Sequence, residues 1–167
     1  MTISRHHGFS LVEGLVCLAI SSTLMAVAVP ASGSLMSSQR QQGHSSQFVA
    51  DFQQARLHAI GNGAPVHVRF HHHVSGSGYT LHQGTRDGCA LSEQGLPVCE
   101  DGAHLLAAEW LPAARGVSLD ANVARMTLNP ATMTVTPTGS VRVADAQGRG
   151  RRHTVAITGR VRSEVLP

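Results

Sequence analysis

Near its carboxyl end the chain reads Gly159-Arg160-Val161-Arg162, and guanidinium groups two residues apart face one way along an extended backbone. Each can make a bidentate, charge-assisted contact with a phosphate. Arg149, Arg151 and Arg152 lie just upstream, and Gly148, Gly150 and Gly159 leave backbone uncovered, so a phosphate could approach closely. The chemistry these residues suit is binding of a polyanion rather than turnover of a substrate. The net charge of +3 is too small to argue for this alone, but its distribution is uneven. Residues 9–114 carry four Arg against seven acids, a balance of −3; residues 115–167 carry eight Arg against three acids, a balance of +5. All 13 basic residues are Arg, as a genome rich in G and C would favour, but such a bias does not explain where they sit.

Other candidate chemistry is weaker. His71-His72-His73 is the densest part of an 11-histidine complement, but in a strand His72 points opposite to its neighbours, and no carboxylate nearby in sequence completes a metal site. Solvated histidines that gain charge below about pH 6.5 are expected instead, with no metal and no cofactor. The motifs G-x-S-x-G, H-E-x-x-H, G-x-G-x-x-G and the P-loop are absent, and Glu93, Glu100 and Asp101 fall where acids are solvated, so no enzyme is expected. Cys89 and Cys99, ten apart without a C-x-x-C, have poor zinc spacing. On the oxidising side of a membrane they read as a disulfide stapling a loop.

The amino terminus supplies that membrane. From Phe9 to Val29 the only charge is Glu13, and as a helix the run spans about the 30 Å of a hydrocarbon core. Arg5, His6 and His7 precede it, a flank that stays cytoplasmic and sends the rest of the chain across. A secretory signal peptide cut at Ala26-Val27-Ala28 is the rival, opposed by the length of the run and by the acid inside it. A carboxylate in a bilayer costs about 2.5 kcal/mol or more, which marks it for a function.

The run Gly8-Phe9-Ser10-Leu11-Val12-Glu13 resembles the processing site of type IV pilins and of the pseudopilins of type II secretion. The resemblance implies a prepilin peptidase that cuts after Gly8, a methylated mature chain that begins at Phe9, and Glu13 pairing with the free amino group of a neighbour's Phe9 during assembly. Pro30 matches a proline common in the family, whereas Gly14 and Cys17 depart from its pattern. At the other end, Thr136-Pro137-Thr138-Gly139-Ser140-Val141 followed by Ile157-Thr158-Gly159-Arg160-Val161-Arg162 is similar to the end of the GspH/FimT family domain. Its Gly-Arg-x-Arg resembles the motif of FimT-type minor pilins that bind DNA in natural transformation. By that resemblance Gly159, Arg160 and Arg162 contact double-stranded DNA, with Arg149, Arg151 and Arg152 in support. Other pilin or pseudopilin subunits, the prepilin peptidase and the inner membrane are the remaining implied partners, with the C-terminal domain in the periplasm and then in a fibre or at the cell surface. A purely structural minor pilin or a GspH-like pseudopilin is the alternative.

The elements that must position these residues follow from periodicity. Phe48, Phe52, Ala55 and Ala59 recur at helical spacing until Gly61, Gly63 and Pro65 stop the helix. From Val66 the period becomes two, and further strands are expected at 79–83, 105–111, 117–119, 126–128, 133–136, 141–144 and 154–158. The expected fold is α+β, a pilin-like long helix packed on an antiparallel β domain: leader 1–8, membrane and assembly helix 9–30, amphipathic continuation 31–63, β domain 64–167.

Overall fold

The computed structural model describes the backbone of residues 10–167 and the side chains of all of these but 26–35 and 37. Gly8 and Phe9 lie outside the described residues. The architecture is α+β: helix α1 (Leu11–Asn62) is followed by eleven strands among the described residues. The chain divides into two units, Met1–Met36 and Ser37–Pro167.

In the first unit, the Ser10 carbonyl accepts the N–H groups of Glu13 (3.0 Å) and Gly14 (3.1 Å) and so opens the helix. Glu13 falls in the first turn, where the positive end of the helix dipole favours an acid. Every large apolar side chain from Leu11 to Met25 is more than half exposed. Among the described residues no helix is long and apolar enough to cross a membrane.

In the second unit, Phe48, Phe52, Ala55 and Ala59 are buried, as their spacing predicts. Phe48 is the hub of this packing. Its ring meets Phe52 (6.0 Å), Phe70 (6.2 Å), His153 (5.7 Å) and, edge-on, Tyr79 (5.4 Å). Asp51 fixes the register of the helix, accepting from the Tyr79 hydroxyl and from Gln47 Nε2, both at 2.7 Å.

Two antiparallel sheets complete this core. The first has the order β5 (His104–Pro112), β2 (Gly76–Gln83), β1 (Val66–His73), β7 (Arg125–Asn129), β8 (Thr134–Thr136). The second has the order β11 (Val161–Leu166), β10 (Gly150–Val155), β9 (Gly139–Asp145), β6 (Val117–Ala121). Strands β3 (Cys89–Leu91) and β4 (Pro97–Cys99) form a separate hairpin, closed by the Cys89–Cys99 disulfide.

That hairpin corrects one expectation. A half-buried β1 would leave its histidines in water, yet His67 and His71 are buried, as are His82 on β2 and His153 on β10. Near the disulfide hairpin, Arg69 Nη1 donates to the Asp87 carbonyl (3.0 Å), and His73 Nε2 bonds the Leu91 carbonyl (3.0 Å). Residues around the disulfide therefore lie over the sheet face that alternation assigned to solvent. Of the triplet, His71 bonds Thr80 Oγ1 (3.2 Å) and only His72 is exposed, bonding Asp120 Oδ1 at 3.1 Å. Among the described residues no group of three or more His, Cys, Asp or Glu could hold a metal ion.

Candidate nucleic-acid interface

The β10–β11 hairpin carries the Gly-Arg-x-Arg motif. Ala156 N–H donates to the Arg160 carbonyl (2.9 Å), and Gly159 N–H donates back to the Ala156 carbonyl (2.8 Å). This is a three-residue loop with the left-handed residue that such a loop requires, and Gly159 fills it at φ 74°. A Cβ there would stand 3.3 Å from Arg56 Nε on the helix and 3.4 Å from Val135 Cγ2 on β8. Gly159 is buried, as is Gly150, so the glycine serves turn geometry and a close approach of helix and loop and not the access for a phosphate expected from the sequence.

Arg160 leaves this loop and Arg162 is the second residue of β11. Both are exposed, and with Thr154, Ala156 and Val161 they line one open groove of about 470 Å³. Among the described residues the Arg160 side chain makes no hydrogen bond or ion pair. Arg162 Nε lies 3.5 Å from Glu164 Oε1, with both side chains largely in solvent. Such an exposed pair is worth about 0–1 kcal/mol and is readily exchanged for another anion.

The upstream arginines do not form one patch. Arg152 faces Arg142 and Glu164 across its two neighbouring strands. It therefore shares the Arg162 face, about 7–8 Å away on the diagonal. Arg151 pairs with Val143 and Val165 and projects from the opposite face, because strand alternation separates 151 from 152. Arg149 sits at the far end of β10, where Asp145 binds it through Nε (3.0 Å) and Nη2 (2.9 Å). Burial works to raise the Asp145 pKa, but the hydrogen bonds from Arg149 and Gln147 outweigh it and hold the carboxyl below its ordinary range. Arg56 joins Arg160 and Arg162 near the loop by coming against Gly159, a neighbourhood that no local pattern in the sequence announces.

Residues 44–159 match the model of the family described as Type II transport protein GspH, and residues 3–29 match the prokaryotic N-terminal methylation motif. The chain belongs to the GspH family. It is a type IV pilin-like protein of GspH/FimT type, a class anchored in membranes and assembled into fibres. The family implies association with other pilin subunits and with the prepilin peptidase. The methylation-motif match covers Gly8, Phe9 and Glu13; the GspH match ends at Gly159, so Arg160 and Arg162 lie beyond it. Beyond these families, the chain matches no curated protein and no solved structure.

Proposed function

We propose that the chain is a minor type IV pilin of FimT type that binds double-stranded DNA without sequence preference and supports DNA uptake in natural transformation. In this reading it crosses the inner membrane once, is cut after Gly8, and carries its β domain in the periplasm before joining a fibre. Its role is binding and assembly, with no catalysis and no cofactor. Glu13 pairs with the amino group of a neighbour's Phe9. The exposed apolar side chains between Leu11 and Met25 support burial of this stretch in lipid or among other subunits, since in water they would be an aggregation site.

The observation that carries the DNA reading is the open groove shared by Arg160 and Arg162. Neither arginine has a partner that folding depends on, and Arg56 adds a third cation beside the loop. A β edge with arginines suits contacts to phosphates, which position the protein without reading bases. Avidity along a fibre would raise a modest affinity per subunit.

The test uses the full-length protein in detergent micelles, titrated with labelled duplex DNA beside the Arg160→Ala/Arg162→Ala variant. A loss of about tenfold or more in affinity is expected. Equal binding by both proteins, or by neither, would sink the assignment. One observation favours the second reading, a structural subunit of a pilus or of type II secretion: the family match bears the type II name and stops before the two arginines. That reading predicts no DNA binding and a defect in piliation or protein export.

A further inference from the structure

Strand β11 is one edge of its sheet, and β10 is the only strand paired with it among the described residues. The hydrogen bond from Ala156 to Arg160 sets the alternation along the hairpin. Thr154–Arg162 and Arg152–Glu164 are then hydrogen-bonded pairs, and the N–H and C=O groups of Val161, Ser163 and Val165 turn toward the free edge. Val165 is 75% exposed and Val161 half-buried, both on the face opposite Arg162 and Glu164. An exposed edge of this kind is a template for another strand, and edge charges usually forbid the pairing.

Here the charges select one partner. If two copies of β11 met antiparallel, only registers that place edge-facing residues opposite each other could form a ladder. Centring the two-fold axis on residue 162 would put Arg162 against Arg162, and centring it on 164 would put Glu164 against Glu164. Centring it on Ser163 instead sets Arg162 opposite Glu164 twice and Val161 opposite Val165 twice. The Arg–Glu pairs then fall at the non-hydrogen-bonded sites, where side chains come closest, and the edge-facing groups make about six backbone hydrogen bonds. Arg162 and Glu164 already lie 3.5 Å apart within one chain, so the exchange trades a weak local pair for two cross-strand ones.

We infer that β11 is a homotypic interface, joining two copies of this chain through an isologous antiparallel pairing centred on Ser163, which makes one continuous eight-stranded sheet from two four-stranded ones. The contact is small and works where the membrane confines the subunits. It does not rest on the DNA reading, and the failure of either leaves the other standing.

The test is thiol cross-linking in membranes that hold the full chain, with Cys17 replaced by alanine. Ser163→Cys and Ser118→Cys, the latter on the other edge strand β6, are treated with a short bifunctional thiol reagent. Dimer is expected from position 163 and not from 118. In the Ser163→Cys background, Arg162→Glu sets like charges opposite each other at both sites and should lower the cross-linked yield about tenfold, and adding Glu164→Arg should restore it. Equal yields from 163 and 118, or a yield unmoved by Arg162→Glu, would overturn the inference, as would a charge swap that fails to rescue while tryptophan fluorescence shows the domain folded.

Discussion

Arg149 donates to Asp145 through Nε at 3.0 Å and Nη2 at 2.9 Å, and the same carboxylate accepts the backbone N–H groups of Gln147 and Arg149 at 3.0 Å. One buried acid therefore closes the β9–β10 turn and occupies an arginine that composition alone would assign to a basic patch. Arg149→Ala leaves Asp145 with fewer donors at a cost of about 1–3 kcal/mol. Urea denaturation followed by the fluorescence of Trp110, the only tryptophan, should show that loss. DNA affinity should stay within about twofold of the parent, because Arg149 sits at the opposite end of β10 from Arg160.

The pattern of what the sequence revealed has a physical basis. Phe48, Phe52, Ala55 and Ala59 announce their helix face because a 3.6-residue period is a local property. Val66, Val68, Met126 and Leu128 do the same for strands, and all are buried. The strand expected at 154–158 ends at Val155, since Ile157 and Thr158 have strand-forming side chains yet sit in a turn imposed by left-handed Gly159. Strand β11 carries no strand signal in its sequence because an edge strand buries too little to need an apolar row. The burial of His71 and His82 depends on the remote disulfide hairpin, which no window of sequence can show. The Asp145–Arg149 pair, four residues apart, is a local signal that the sequence does carry.

Salt dependence should report how many arginines act together. With Arg149 held by Asp145 and Arg151 on the other face, Arg160 and Arg162 in the groove remain, together with Arg152 on the Arg162 face and Arg56 against Gly159. Three or four neutralised phosphates give a slope of log K against log salt of about −3 to −4, and Arg160→Ala should reduce its magnitude by about 1. Titrations of labelled duplex across a salt series measure this. A slope near zero would exclude phosphate contacts as the source of binding.

Gly159→Ala should cost about 1–2 kcal/mol, because a Cβ-bearing residue pays that much for the left-handed conformation. The added methyl would also press on Arg56 and Val135 at 3.3–3.4 Å. Gly159→Asn should lose less, since Asn visits this region more readily, provided its side chain turns away from Arg56. Urea midpoints of the three proteins make the comparison, and an alanine variant as stable as the parent would refute the turn assignment.

Acid should destabilise the β domain well above the range where carboxylates titrate. Burial lowers the His71 pKa from 6.5 to about 4, with Arg69, His73 and His82 adding repulsion, and burial is also the main cause of lowered values at His67, His82 and His153. A histidine whose folded pKa lies below its unfolded one binds its proton preferentially in the unfolded state. Stability is therefore full above about pH 6.5, falls as pH drops toward 4, and levels off below that for this group, with His71 alone contributing about 2–3 kcal/mol. Urea midpoints between pH 7.5 and 4.5 should fall steadily, and the slope should weaken in His71→Gln.

The disulfide and these histidines meet at one place, because the carbonyls of Cys89 and Leu91 take part in the contacts that cover β1 and β2. The staple closes a loop of about 11 residues, and loop entropy gives it about 3 kcal/mol at most. Cys89→Ser/Cys99→Ser should lower stability by up to that amount at pH 7.5. The acid slope should persist, since the hydrogen bonds from Arg69, His73 and Thr80 to the hairpin backbone do not need the sulfur bridge. If the slope instead flattens, His71 and His82 have become solvated and their pKa values have moved toward 6.5. The staple itself, and not the packing beneath it, would then be what seats the hairpin on the sheet.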